Sequence, residues 1–177
     1  GTARALVRLL ILTGQRREEV TGMAWSELDY DHASKTWTAG GLWSLPAARM
    51  KSKRPHIVPL RRPARETIEA QPTGSAAGHL PTAKLRQTAA KLAEPWVIPV
   101  LRRSVATGLG EILNIEERTI GRALGHSARM GITARYELSQ RLGQVRSAFG
   151  AWADLVLSQV HGTAGSNVVA MPVGERA

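Results

Sequence analysis

Cleaving a phosphodiester takes cations on the non-bridging oxygens, an acid for the leaving hydroxyl and a nucleophile. A few side chains of this sequence have the types and spacing for such work. Arg16 follows Gly14 at what reads as a helix junction, with Glu19 three residues on, a spacing that lets a carboxylate hold a guanidinium in place. Lys51 sits near the tip of a basic hairpin, where a flexible ammonium can reach into a groove. Arg102 and Arg103 open a helix and point to different faces, and His126 follows the helix stop Leu124-Gly125. Tyr136 is one of two tyrosines and lies beside Arg135 and after Arg129. A phenol, with an ordinary pKa of about 10, needs such cations or a proton acceptor before it can act as a nucleophile. Each residue also has a plainer reading: a surface ion pair, a solvated hairpin charge, a loop cap, a half-buried helix tyrosine.

Composition narrows the partner. Of 177 residues, 24 are Lys or Arg and 14 are Asp or Glu, a formal net charge of +10. Nineteen of the cations are arginine, whose planar fork grips phosphate or carboxylate in two places at once. Such a balance points to a polyanion, of which nucleic acid is the commonest. A basic RNA-binding protein would interleave its cations with aromatic stacking platforms. Here the five tryptophans fall at apolar helix and strand positions instead. The absence of cysteine excludes disulfides, iron–sulfur clusters and thiolate zinc sites. At 43% hydrophobic and 21% charged residues the chain is of the globular class. No apolar run approaches the roughly 18 residues of a membrane span, and no signal peptide is evident.

These residues must be positioned by a mainly helical scaffold. The spacing predicts helices over about 3–12, with Leu6, Val7, Leu9 and Leu10 apolar and Gly14 as the stop, and over 17–25. Thr36–Thr38, Leu42–Leu45 and His56–Leu60 read as the strands of one three-stranded antiparallel sheet, with Arg49–Arg54 as the basic hairpin between the last two. Pro63 opens a further helix to about Ala70, and a Gly/Ser/Ala-rich loop over 71–79 follows. Helices are expected over 82–93, 100–113 and 116–124. A long amphipathic segment from about Ile132 carries Leu138, Leu142, Val145, Phe149, Trp152 and Leu155/Val156 as one stripe. The expectation is an α+β, mainly α domain over 1–160: a helical bundle with a small three-stranded sheet. A flexible tail over 161–177 follows, its composition turning to Gly, Ser, Asn and Pro. Because the first residues read as a helix interior without a cap, an upstream region is expected to be missing.

The order and spacing of these boxes resemble the tyrosine recombinases, the phage integrases, over residues 3–157. Thr13-Gly14-Gln15-Arg16-Arg17-Glu18-Glu19-Val20 is similar to the family's TGxRxxE box. The stretch from Pro46 through Lys51 to His56-Ile57-Val58-Pro59-Leu60 resembles its lysine-bearing β-hairpin. Leu101-Arg102-Arg103-Ser104-Val105-Ala106-Thr107 looks like the HxxR box, Leu124-Gly125-His126 the LGH box, and Ala134-Arg135-Tyr136 the nucleophile segment.

The resemblance implies a site-specific DNA strand transferase of the integrative-element kind, acting on duplex DNA without metal or other cofactor. Tyr136 would attack the scissile phosphate and form a 3′-phosphotyrosyl intermediate. Arg16 and Arg102 would clamp the non-bridging oxygens, Lys51 would protonate the departing 5′-oxygen, and His126 would hydrogen-bond the phosphate. Arg49, Lys53, Arg54, His56 and Arg103 would be supporting DNA contacts. It also implies a concave basic face on the DNA, a homo-tetramer on that DNA, an upstream core-binding domain not present in this sequence, and a bacterial or phage protein of the nucleoid. One position departs from the pattern: the residue three before Arg102 is Pro99, where the family has histidine. Proline offers neither a ring nitrogen nor an amide proton. His56 and His79 are the candidate substitutes, and a catalytically impaired DNA-binding relative is the alternative function.

Overall fold

The computed structural model describes residues 2–71, 97–126 and 137–162. The expected helix over 82–93, most of the 71–79 loop, His79, Tyr136 and the tail beyond residue 162 lie outside these. Within them the order is helix α1 (Thr2–Thr13), helix α2 (Arg17–Thr21), strands β1 (Tyr30–Asp31), β2 (Thr36–Trp37), β3 (Leu42–Leu45) and β4 (His56–Pro59), then helices α3 (Arg62–Glu69), α4 (Val97–Thr107), α5 (Glu117–Ala123) and α6 (Glu137–His161).

The chain is mainly helical with small antiparallel sheets, but the three-stranded sheet is not what forms. β1 pairs only with β2 (Tyr30 opposite Trp37), and β3 pairs only with β4 (Trp43 opposite Val58). An isolated bridge between Leu28 and Trp43, together with hydrogen bonds of Asp29, links the two ribbons. The reason lies at Asp29. Its carboxylate accepts from the backbone amides of Ala39, Gly41 and Leu42 at 2.7, 3.1 and 2.6 Å, taking donors that a continuous strand would offer to a neighbour. Gly40 and Gly41 turn the chain between β2 and β3 at φ +78 and +87.

The second expected helix is likewise cut short, at Thr21. A separate 3₁₀ turn, Trp25–Glu27, follows it. The Glu27 carboxylate draws that turn inward, accepting from the Ala24 amide (3.3 Å) and Trp43 Nε1 (3.0 Å) and pairing with Arg49. Helix α4 continues as a π turn over Gly108–Ile112, so the expected 100–113 helix is present with a wider last turn.

The core is built where the apolar stripes meet. Leu6 and Leu9 of α1, Trp43 and Leu45 of β3, Val58 of β4, Ile68 of α3, Val105 of α4, Leu124 after α5 and Phe149 of α6 are all essentially without solvent contact. The expected α6 stripe is buried at Val145, Phe149 and Trp152. Trp152 also donates its indole N–H to the Ile11 carbonyl at 2.7 Å, tying α6 to α1. Among the described residues no helix is long and apolar enough to cross a membrane.

Candidate active site

Three chain segments meet at the end of α1. Thr13 closes the helix by donating its hydroxyl to the Leu9 carbonyl at 2.6 Å. Gly14 then turns the chain at φ +61. A β-carbon there would stand 2.7 Å from Leu124 Cδ2 and 3.0 Å from Val105 Cγ1, so both the backbone angle and the contact with α4 and the α5 terminus demand glycine. That turn delivers Gln15 inward and Arg16 to the rim.

Arg16 is held from two sides by Glu19, which is 2% exposed. The carboxylate accepts from the Arg16 backbone amide at 2.7 Å and from its guanidinium at 3.0 Å. A carboxylate in the first turn also suits the positive end of α2. The expected i,i+3 pair is therefore present, with a buried rather than a solvated acid.

Arg102 projects from α4 between the two turns. One guanidinium nitrogen donates to the Gly14 carbonyl at 2.7 Å and the other to the Leu124 carbonyl at 2.6 Å. Burial and the neighbouring Arg16 cation bring its pKa down to about 10, with Glu19 opposing them. It stays charged at neutral pH, so two guanidinium groups share one buried carboxylate. The surplus of positive charge suits an oxyanion.

The turn after α5 presents His126 to the same place. Gly125 adopts φ +66, and a β-carbon on it would meet Met50 Cε at 3.0 Å and the His56 ring at 3.2 Å. His126 anchors its amide on the Gly121 carbonyl at 2.8 Å. Its ring pKa is held below the usual histidine value, first by burial and then by Arg102 and Arg16. The imidazole is therefore neutral at pH 7, able to donate from one nitrogen and accept at the other.

Two residues hold this turn from below. Gln15 donates from Nε2 to the Ala123 carbonyl at 2.9 Å and to the Thr13 carbonyl at 2.8 Å. His56, at the start of β4, shares the Ala123 carbonyl through Nε2 at 3.3 Å. A carbonyl brings no proton, so Nε2 carries it. Burial pushes the His56 pKa down, and Arg102 and Arg16 add to this against the Ala123 bond and Glu19. Thus Gln15, His56 and Arg102, from three different segments, bind successive carbonyls at the end of α5. Gln15 was not singled out by sequence reasoning. Its one signal was its place inside the box around Arg16, since nothing in its type marks it as a clamp.

The other expected residues are placed as follows. Lys51 lies exposed in the turn between β3 and β4, and Lys53, at φ +55, and Arg54 follow it on the surface. Arg103 is exposed one residue beyond Arg102. Arg49 is turned inward: it pairs with Glu27 and donates to the Glu19 carbonyl at 2.7 Å, so its guanidinium joins the β3–β4 turn to α2. Pro99 is exposed in the first turn of α4, three residues before Arg102, where its missing amide proton costs the helix no hydrogen bond. Among the described residues no three metal-ligating side chains gather at one point.

A prophage integrase of Escherichia coli strain K12, IntZ, is 41% identical to this chain over 69 residues. Those residues are 39% of this chain, and the match spans 15% of the length of that protein. No family model matches the chain. No solved structure matches it.

Proposed function

We propose that this chain is the catalytic part of a tyrosine-type DNA strand transferase, a site-specific recombinase of the integrase kind. The observation that carries the reading is the convergence of Arg16, Arg102 and His126, from three separated segments, close enough that both arginine charges act on the histidine. The partial likeness to a prophage integrase supports it. Tyr136 gives up its phenolic proton to solvent and attacks the scissile phosphorus, the bond to the 5′-oxygen breaks, and a 3′-phosphotyrosyl ester forms. Arg16 and Arg102 hold the non-bridging oxygens, Lys51 delivers a proton to the leaving 5′-oxygen, and His126 donates to the phosphate. Attack of another strand's 5′-hydroxyl reverses these steps and frees the tyrosine. The ester conserves the bond energy, so no nucleotide is consumed. Duplex DNA is the partner, and a homo-tetramer on that DNA is the working assembly.

The test is incubation of the protein with nicked suicide DNA duplexes carrying the attachment site of the element that encodes it. A denaturant-resistant protein–DNA adduct is expected, and Tyr136→Phe abolishes it. An adduct that persists in Tyr136→Phe, or none with the wild-type protein, overturns the reading.

Pro99 favours a second reading, a DNA-binding relative without strand transfer. The position one turn before Arg102 is open to the surface yet offers no donor or base. Pro99→His separates the two: an adduct that appears only in the variant assigns the wild-type chain to the second.

A further inference from the structure

The end of the β3–β4 ribbon away from Lys51 carries three more arginines, none of them in the site above. Gly40 and Gly41 form the turn into β3, and the Leu60 amide after β4 donates to the Gly41 carbonyl at 2.7 Å. Arg61 follows at once, and Arg65 lies one turn along α3. Arg146 of α6 brings Nη1 to 3.0 Å from where a β-carbon of Gly40 would stand. Arg65 runs its stem over Gly41, with Cδ at 2.6 Å from the corresponding point. Arg61 sets Nε, Cζ and Nη2 all at 3.4 Å from the same point on Gly150, so its guanidinium lies flat on α6, one turn from Arg146.

None of the three has a carboxylate within ion-pair distance among the described residues. Of the acids on neighbouring segments, Asp154 of α6 is exposed and pairs with none of the three, and Asp29, Glu66 and Glu69 are committed elsewhere. Asp29 accepts from the amides of Ala39, Gly41 and Leu42. Glu66 pairs with Arg62, and Glu69 accepts from the Trp37 indole. Arg65 and Arg146 are moreover half-buried, which restricts where their guanidinium groups can point. Three neighbouring guanidinium groups without a carboxylate partner favour an anion between them. The two glycines, lacking β-carbons, let the Arg146 guanidinium and the Arg65 stem pack directly on the turn.

We propose that Arg61, Arg65 and Arg146 form a second phosphate-binding site that grips the backbone of duplex DNA, an inference that rests on the proposed function. Four-residue strands at about 3.3 Å per residue put this site roughly 13 Å or more along the ribbon from the Lys51 turn. That distance corresponds to about four base-pair steps at 3.4 Å. The ribbon then serves as a ruler, with Lys51 at one end and a backbone anchor at the other. Contacts of this sort set the register of the DNA and read no bases.

The experiment measures affinity of the chain for a duplex oligonucleotide of arbitrary sequence across a salt series. Each phosphate contact contributes about 0.9 to the slope of log affinity against log salt. The triple variant Arg61→Gln/Arg65→Gln/Arg146→Gln is expected to lower that slope by about 2 or more. A triple of equal charge change on exposed arginines elsewhere, Arg4→Gln/Arg8→Gln/Arg118→Gln, is expected to lower it by less than 1. Arg146→Gln alone, with an expected drop of about 0.9, replaces the triple if thermal melting shows that the triple is unfolded. Equal slopes for the two triples, or an unchanged slope in the single variant, overturn the site while leaving the proposed strand transfer intact. Wild-type protein that binds no duplex overturns both. A lowered slope with no tyrosine adduct upholds the site and overturns the strand transfer.

Discussion

Arg102 and Lys51 would serve one reaction, yet the molecule positions them by opposite means. Arg102 is locked between the Gly14 and Leu124 carbonyls, with Gln15 and His56 binding the carbonyl next to Leu124. Lys51 stands exposed in the turn between β3 and β4. Under the proposed function, the oxyanion-binding half would therefore be set before any ligand arrives, and the lysine half would take its position from the ligand. Each arrangement suits its chemistry. A cation that must stabilise developing charge works best when no reorganisation is needed, whereas a proton donor has to follow the oxygen it protonates.

The contrast can be broken most sharply by removing each side chain. Under the proposed reaction Arg102→Ala and Lys51→Ala should each lower adduct formation on suicide DNA by about 10²–10³-fold. Only Arg102→Ala should also destabilise the fold, by about 2 kcal/mol in denaturant unfolding, because two carbonyls lose a charged donor. Lys51→Ala should stay within about 0.5 kcal/mol of wild type. Comparable losses of stability in the two variants would end the distinction.

Gly14→Ala probes the same locked turn without touching a charge. The strained φ and the contacts with Leu124 and Val105 should together cost about 2 kcal/mol, read as a lower denaturation midpoint at unchanged m-value. A neutral result would mean that the turn yields easily and is not preset.

A smaller effect should appear with pH. His56 and His126 both have pKa values below that of an unfolded histidine, so between those values and about 6.5 the unfolded chain binds more protons. Stability is therefore greatest above about pH 6.5 and declines as the pH falls through the window below it. Melting temperatures between pH 7 and pH 5 should show this decline, and His56→Gln should flatten it. An equal decline in the variant would remove His56 from the clamp. The smallest change expected is for Arg103→Ala, exposed beside Arg102: stability within about 0.5 kcal/mol of wild type, checked by the same unfolding curves.

Much of this organisation was legible along the chain. Apolar steps of three and four located α1 and the stripe of α6, Pro63 marked the start of α3, and Gly14 and Gly125 marked the ends of α1 and α5, because periodicity, helix starts and helix stops are local properties. The Arg16–Glu19 pair was equally readable, being an i,i+3 spacing. The three-stranded sheet was misjudged because Asp29 competes for amides ten to thirteen residues away, and no local pattern reports such a capture. Arg49 looked like one more cation of a basic hairpin. Its pairing with Glu27, 22 residues back, could be known only once the two segments met.

By itself the sequence determined the inventory: an arginine-rich chain, the order of its boxes, and which side chains were chemically able to handle a phosphate. The tertiary structure decided which of them act together. Arg102 takes its orientation from carbonyls 88 and 22 residues away in sequence, and Arg61, Arg65 and Arg146 lie together because α3 and α6 pass the same glycine turn. Hydrogen bonds and unpaired charge depend on distance in space, and folding sets that distance.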